Sequence, residues 1–196
     1  MKKFFTTLSL VLVVGFSYAQ LSGGVKAGLN SSNIKYKYDG GTEKGDPRIG
    51  THVGFYLVYM INDKMGLQPE FVISGEGNRS SNGSAADSKT VLTYINIPLL
   101  FRYNVTEKFS LHTGPQIGFL ASAKYKQSGN TTDIKDGLRG IGLAWGIGGM
   151  YELPKNFNVG LRYNIGLSDI SDDGDSSDKY KVSTLQISVG YTLFRK

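Results

Sequence analysis

Five charged residues in this chain occupy positions that only a polar interior could use. Lys26, Glu70, Arg102, Glu152 and Arg162 all fall on even numbers, within segments whose odd-numbered residues are largely apolar. Charges of both signs on one face of a sheet predict ion pairs, because a charge left unpaired in a narrow interior is costly. Glu70 and Arg102 lie on neighbouring segments, so that pair is expected first, with extension to Lys26, Arg162 or Glu152. The competing chemistry is a charged ring lining an ion path. A small closed sheet is just wide enough for its own side chains, which favours a plug.

Other constellations promise less. His52 and His112 are expected tens of ångströms apart, sharing no metal, and neither has the neighbouring Ser and carboxylate that hydrolysis requires. Asp169, Asp172, Asp173, Asp175 and Asp178 crowd one polar stretch. Their oxygens are of the type calcium uses, but the spacing departs from the D-x-[DN]-x-[DN]-G loop. The expectation is a solvated acidic loop with at most a weak cation site at Asp172, Asp173, Asp175 and Asp178. No metal centre and no cofactor is predicted. Gly140, Gly142, Gly146 and Gly148 leave one inner face bare, and Tyr56 and Met60 are expected to fill the gap over Gly146 from the opposite wall.

The elements that must position these residues are strands. "FNVGLRYNIGLSD" (157–169) alternates strictly, with Phe157, Val159, Leu161, Tyr163 and Ile165 on one parity and Asn158, Arg162 and Asn164 on the other. A period of two is that of a β-strand. Eight such segments are predicted, at 23–34, 49–61, 66–76, 90–103, 109–125, 139–153, 157–169 and 182–194. Tight turns at 62–65, 104–108 and 154–156 alternate with long polar connections at 35–48, 77–89, 126–138 and 170–181. Short turns at one end, long loops at the other and an even strand count describe a membrane barrel. Thirteen residues rising about 3.3 Å each and tilted near 45° reach roughly 30 Å in height, the thickness of a hydrocarbon core. Tyr59, Phe101, Tyr103, Phe109, Tyr151, Phe157, Tyr191 and Phe194 gather at the short-turn end on the apolar parity, as an interfacial girdle would.

These features orient the faces. The even parity carries too many polar groups, among them Lys26, Asn30, His52, Gln68, Glu70 and Arg162, for a soluble core to bury cheaply. The apolar face is therefore expected to meet lipid and the polar face a lumen, which counts against a soluble carrier. Pro98 and Pro115, on adjacent strands, lack the N–H a ladder needs and predict a bulge or break there.

The remaining chain bounds the class. "MKKFFTTLSLVLVVGFSYA" (1–19) has a basic start, an apolar centre and a small-x-small end, the pattern of a cleaved export signal, leaving 20–196 as one barrel domain. The 196 residues include no cysteine, so closure of the sheet must supply the stability that disulfides give other exported proteins. The formal net charge of +6, part of it from Lys2 and Lys3, forms no basic stripe with interleaved aromatics, and no nucleic-acid partner is predicted.

"YINIPLLFRYN" (94–104), "TGPQIGFLASAKYK" (113–126) and "GLRYNIGLSDIS" (160–171) resemble the outer-membrane β-barrel domain family, which includes porin-family and PorT-like small barrels. The resemblance covers nearly all of 20–196. It implies an all-β, eight-stranded, antiparallel up-and-down transmembrane barrel in the outer membrane of a Gram-negative cell envelope, inserted by the barrel-assembly machinery. The expected function is a monomeric structural or surface-interaction barrel, held in outer-membrane lipids and meeting extracellular or envelope proteins through its loops. A PorT-like component of an export machine and a narrow porin-like channel are the alternatives.

Overall fold

The computed structural model describes residues 20–38, 40–80, 88–172 and 179–196. The predicted export signal lies outside these residues, as do Asp173, Asp175 and Asp178. Ten strands form, β1 (Gln20–Tyr38), β2 (Gly41–Lys44), β3 (Asp46–Met60), β4 (Met65–Ser80), β5 (Ser88–Asn104), β6 (Phe109–Gln127), β7 (Asn130–Asp133), β8 (Ile141–Glu152), β9 (Phe157–Gly166) and β10 (Lys179–Arg195). Eight of them close a ring in the order β10-β9-β8-β6-β5-β4-β3-β1, with β1 pairing back to β10. All pairings are antiparallel, and closure leaves no long sheet edge to be satisfied in lipid. β2 and β7 are short extensions that pair with the outer ends of β1 and β6.

Local chemistry fixes the short turns. Asn62 accepts from the backbone N–H groups of Lys64 and Met65 at 3.0 and 2.8 Å, and Thr106 accepts from those of Lys108 and Phe109 at 3.3 and 3.0 Å. Lys155 and Asn156 both take left-handed backbone angles, φ 61° and 65°, as a two-residue turn between twisted strands demands. At the other end the expected long connections are partly strand. Residues 35–48 continue β1 and build β2 and the start of β3, and 126–138 contain β7 and a short 3₁₀ turn at Lys135–Gly137. β9, in contrast, stops at Gly166, three residues short of its predicted end.

Each of the two prolines interrupts the ladder on one side without shifting its register. Pairing between β4 and β5 lapses from Pro69↔Leu99 to Val72↔Asn96, opposite Pro98, and pairing between β5 and β6 lapses from Pro98↔Gln116 to Phe101↔Thr113, opposite Pro115. The register shift itself lies nearer the outer end, at Thr93/Tyr94 of β5. Beyond it the parity of β6 reverses, so Ala123 turns inward and Lys124 outward.

The faces are as the alternation requires. Val25, Leu29, Val53, Phe55, Ile73, Ile97, Leu143, Trp145, Ile147, Leu161, Ile187 and Val189 are exposed on the outside, whereas Lys26, Asn30, His52, Gln68, Glu70, Glu76, Arg102, His112, Arg162 and Asn164 are buried inside. Of the girdle aromatics, Phe157 and Tyr191 meet edge to face at 5.1 Å. The outermost part of the lumen is apolar. Ile34, Leu92, Tyr94, Leu120, Ala123 and Ile170 cluster there, with Tyr36, Ile134, Leu138, Tyr180 and Val182 packed against them.

Candidate functional site

Glu70 on β4 organises the middle of the lumen. Its Oε1 accepts from Arg162 Nη2 at 2.6 Å and from Gln68 Nε2 at 2.8 Å, and its Oε2 accepts from Arg162 Nη1 at 2.8 Å and from Lys26 Nζ. The Arg162 fork is thus bidentate, the strongest geometry available to a carboxylate. Arg162 Nε donates to His112 Nε2 at 3.2 Å, which places the proton of the neutral imidazole on Nδ1. Lys26, Glu70, His112 and Arg162 come from β1, β4, β6 and β9, every second strand of the ring. They form one layer across the barrel, and the Glu70 side chain in it is 0% exposed.

Arg102 belongs to a second group, nearer the short turns. Its Nη2 donates to Glu152 Oε1 at 3.1 Å, its Nε to Asn104 Oδ1 at 3.1 Å and its Nη1 to Gln68 Oε1 at 3.3 Å. Arg195 approaches the other Glu152 oxygen at 3.7 Å. The Glu70–Arg102 ion pair expected from their neighbouring strands therefore does not form. Gln68 stands between them, donating to one and accepting from the other. Adjacent strands offer short Cβ separations, but the tilt of the strands brings Arg162 level with Glu70 from the opposite wall.

Towards the outer end a third group centres on Glu76. Its carboxylate accepts from Ser74 Oγ at 2.9 Å, Asn96 Nδ2 at 3.0 Å and Thr184 Oγ1 at 3.1 Å. Ser74 accepts in turn from Asn30 Nδ2 at 2.8 Å, Asn30 Oδ1 accepts from His52 Nδ1 at 2.7 Å, and His52 Nε2 meets Ser188 Oγ at 2.9 Å. A cavity of about 30 Å³ lies beside this group, lined by Glu76, Tyr94, Gln116 and Gly142, and a second of about 110 Å³ opens at the short-turn end beside Tyr56, Arg102 and Glu152.

Three expectations need correction. The histidines are closer than expected, since His112 reaches Lys26 through Arg162 and Glu70, while His52 packs on Gly28, two residues along β1 from Lys26. His52 also has a serine within hydrogen-bond reach. The order Ser188–His52–Asn30 is that of a hydrolytic triad with an amide for the carboxylate, but neither His52 nor Ser188 lines either lumen cavity. Tyr56 does not cross to Gly146. Its hydroxyl accepts from Asn158 Nδ2 at 2.8 Å and pairs with Thr192 Oγ1 at 3.0 Å, so it rests on Gly24, while Arg162, Asn164 and Leu100 fill the space over Gly146. Met60 stays half-buried at the mouth beside Gly66.

In the acidic loop, Asp169 accepts from the backbone N–H groups of Ser171 and Tyr180 at 3.1 and 2.9 Å, tying the loop ends together, and Asp172 is exposed. Among the described residues no group of three His, Cys, Asp or Glu is placed to hold a metal ion.

A closed antiparallel ring with an apolar exterior, an aromatic girdle and charges paired inside is a transmembrane β-barrel. Residues 16–172 match the family model described as outer membrane protein beta-barrel domain, and the chain belongs to that family. It is an outer-membrane protein. Among solved structures, it is similar to Ail, the attachment invasion locus protein of Yersinia pestis, at 19% identity and a TM-score of 0.50, over 88% of this chain and 98% of that one. Neisserial surface protein A is similar at 14% identity and a TM-score of 0.52, over 86% and 96%. Both likenesses are of fold. No curated protein sequence matches significantly.

Proposed function

We propose that this protein is a structural or surface-interaction barrel whose lumen is closed by its own side chains. The observation that supports this reading is the layer of Lys26, Glu70, His112 and Arg162, which spans the interior beneath the apolar cluster around Leu92. Moving an ion through would require breaking a bidentate, fully desolvated ion pair. The long connections at 35–48, 77–89, 126–138 and 170–181 are then the parts that meet extracellular or envelope proteins, and the barrel has no enzymatic role. It works as a monomer in outer-membrane lipid, inserted by the barrel-assembly machinery after residues 1–19 are removed as an export signal.

Planar-bilayer recording tests the closed lumen. The expected result is little or no steady conductance, with Glu70→Ala lowering thermal stability more than it raises ion flow. A large, stable open channel in the unmodified protein would overturn the plug in favour of a porin-like function. Recovery of a fixed set of envelope proteins with the barrel from detergent extracts would instead favour a PorT-like role.

A further inference from the structure

The register of the outer rim sets lysines against lysines. Where β1 and β10 run beyond the apolar band, Lys35 lies directly opposite Lys181, and Lys37 opposite Lys179. On the other side of β1, Lys35 is also opposite Lys44 of β2. All five are on the outward face, since Ile34, one residue from Lys35, is buried in the lumen cluster. Like charges directly opposed across strands are destabilising. Elsewhere on the rim the register is mixed, with Asp46 opposite Arg79 on β3 and β4 and Lys124 opposite Asp133 on β6 and β7, while Arg79, Lys89 and Lys126 line up across β4, β5 and β6.

Among the described residues, no carboxylate forms a salt bridge with any of the five. The nearby Glu43 accepts instead from the Tyr38 hydroxyl at 3.0 Å. The strands are also held together behind the lysines. Tyr36 and Tyr180 meet edge to face at 5.2 Å on the inner side of the same seam, and the Tyr36 hydroxyl accepts from Asn78 Nδ2 at 2.6 Å. The rows are therefore fixed close together, with no salt-bridge partner among the described residues.

Their height says what supplies the counterions. On β10 the exposed residues Leu193, Tyr191, Val189, Ile187 and Leu185 are followed on the same parity by the buried Ser183 and then by Lys181 and Lys179. Lys181 stands four residues beyond the last apolar one, about 9 Å further along the membrane normal for a tilted strand. That is headgroup depth. We infer that the β1–β2–β10 lysine rows are a docking surface for phosphorylated glycolipid headgroups of the outer leaflet, with phosphate groups seated between opposed ammonium groups. This rests on the outer-membrane placement and not on whether the lumen conducts, and a failure of one leaves the other standing.

The test uses the full barrel folded into phosphatidylcholine vesicles, with or without bisphosphorylated lipid A, dephosphorylated lipid A or phosphatidylglycerol at matched charge. The readout is the temperature at which the heat-dependent gel shift is lost. The expected result is a midpoint several degrees higher with bisphosphorylated lipid A than with phosphatidylcholine, the gain disappearing at high salt. Substituting all five lysines with Gln should remove most of the gain, while the all-Arg variant keeps it. The Gln variant should also be at least as stable as the parent in phosphatidylcholine alone, because the repulsion is gone. An equal gain in the Gln variant would overturn the inference, as would an equal gain from phosphatidylglycerol, which would make the rows a general anionic surface. Absence of any lipid A gain, even with retention on a sulfated polysaccharide matrix, would overturn it too.

Discussion

Glu70 and Arg162 stand on β4 and β9, four places apart in a ring of eight strands, and share two hydrogen bonds of 2.6 and 2.8 Å. Strands four places apart in such a ring are opposite walls, so this pair measures the inner diameter of the barrel with two side chains. The first prediction follows from it. Glu70→Ala leaves Arg162 and Lys26 buried without a carboxylate and should cost about 3 to 5 kcal/mol. Replacing Glu70, Arg162 and Lys26 together with Leu, Met and Met should recover much of that loss. Urea unfolding in lipid vesicles measures both, and a triple variant as unstable as the single one would count against the pairing.

The two faces can be tested on a single strand. Leu161 is 54% exposed on the outside, and Asn164 is 3% exposed inside, with neither polar atom of its amide partnered among the described residues. Leu161→Arg puts a charge in lipid and should cost about 2 to 4 kcal/mol. Asn164→Leu removes two unsatisfied polar atoms and should be neutral or stabilising. Folded yield and midpoint for the two variants should differ in that order.

Alternation such as that of residues 157–169 gives the strands, because period two is a one-dimensional signal, while the polar residues gathered on one parity and the separation of short turns from long connections give facing and closure. Which charges meet is a matter of tilt, and tilt does not show in a single strand. Glu70 pairs with Arg162 and not with Arg102 because residues level with one another across the lumen are far from matched in register along it. The apolar outer cluster was hidden for a different reason. Ile34, Leu92, Tyr94, Leu120 and Ile170 are all even-numbered, but their apolar character was outweighed by the polar residues sharing that parity nearer the short turns. The parity break after Thr93 obscured Ala123, which is odd-numbered and buried.

Crowding on β8 gives a third test. A Cβ on Gly148 would lie 2.4 Å from the Leu161 carbonyl oxygen and 2.6 Å from His112 Nε2, whereas one on Gly140 would meet nothing within 4 Å. Gly148→Ala should cost about 1 to 3 kcal/mol through overpacking. Gly140→Ala should add about 0.4 to 1 kcal/mol by restricting the unfolded chain. Thermal midpoints moving in the same direction would contradict the packing described for His112.

The outer cap is the fourth. Leu92 is 0% exposed within the apolar cluster, so Leu92→Ala should cost about 2 to 5 kcal/mol. It should also speed hydrogen exchange in the polar groups below, around Glu76 and Asn96. Destabilisation without faster lumen exchange would show that the cluster packs without sealing.

The strut between Glu70 and Arg162 also joins the early part of the chain to the late part. So do His52 with Ser188, Tyr56 with Asn158 and Thr192, and Glu76 with Thr184. A barrel interrupted after β6 would hold Glu70 without its guanidinium and Tyr56 and His52 without their second-half partners, in a sheet with two open edges. Such a half-built barrel is poorly soluble in lipid on its inner side as well as at its edges. The last strands thus complete the electrostatics and the hydrogen bonding in one event, and the interior acts as a checkpoint on correct closure.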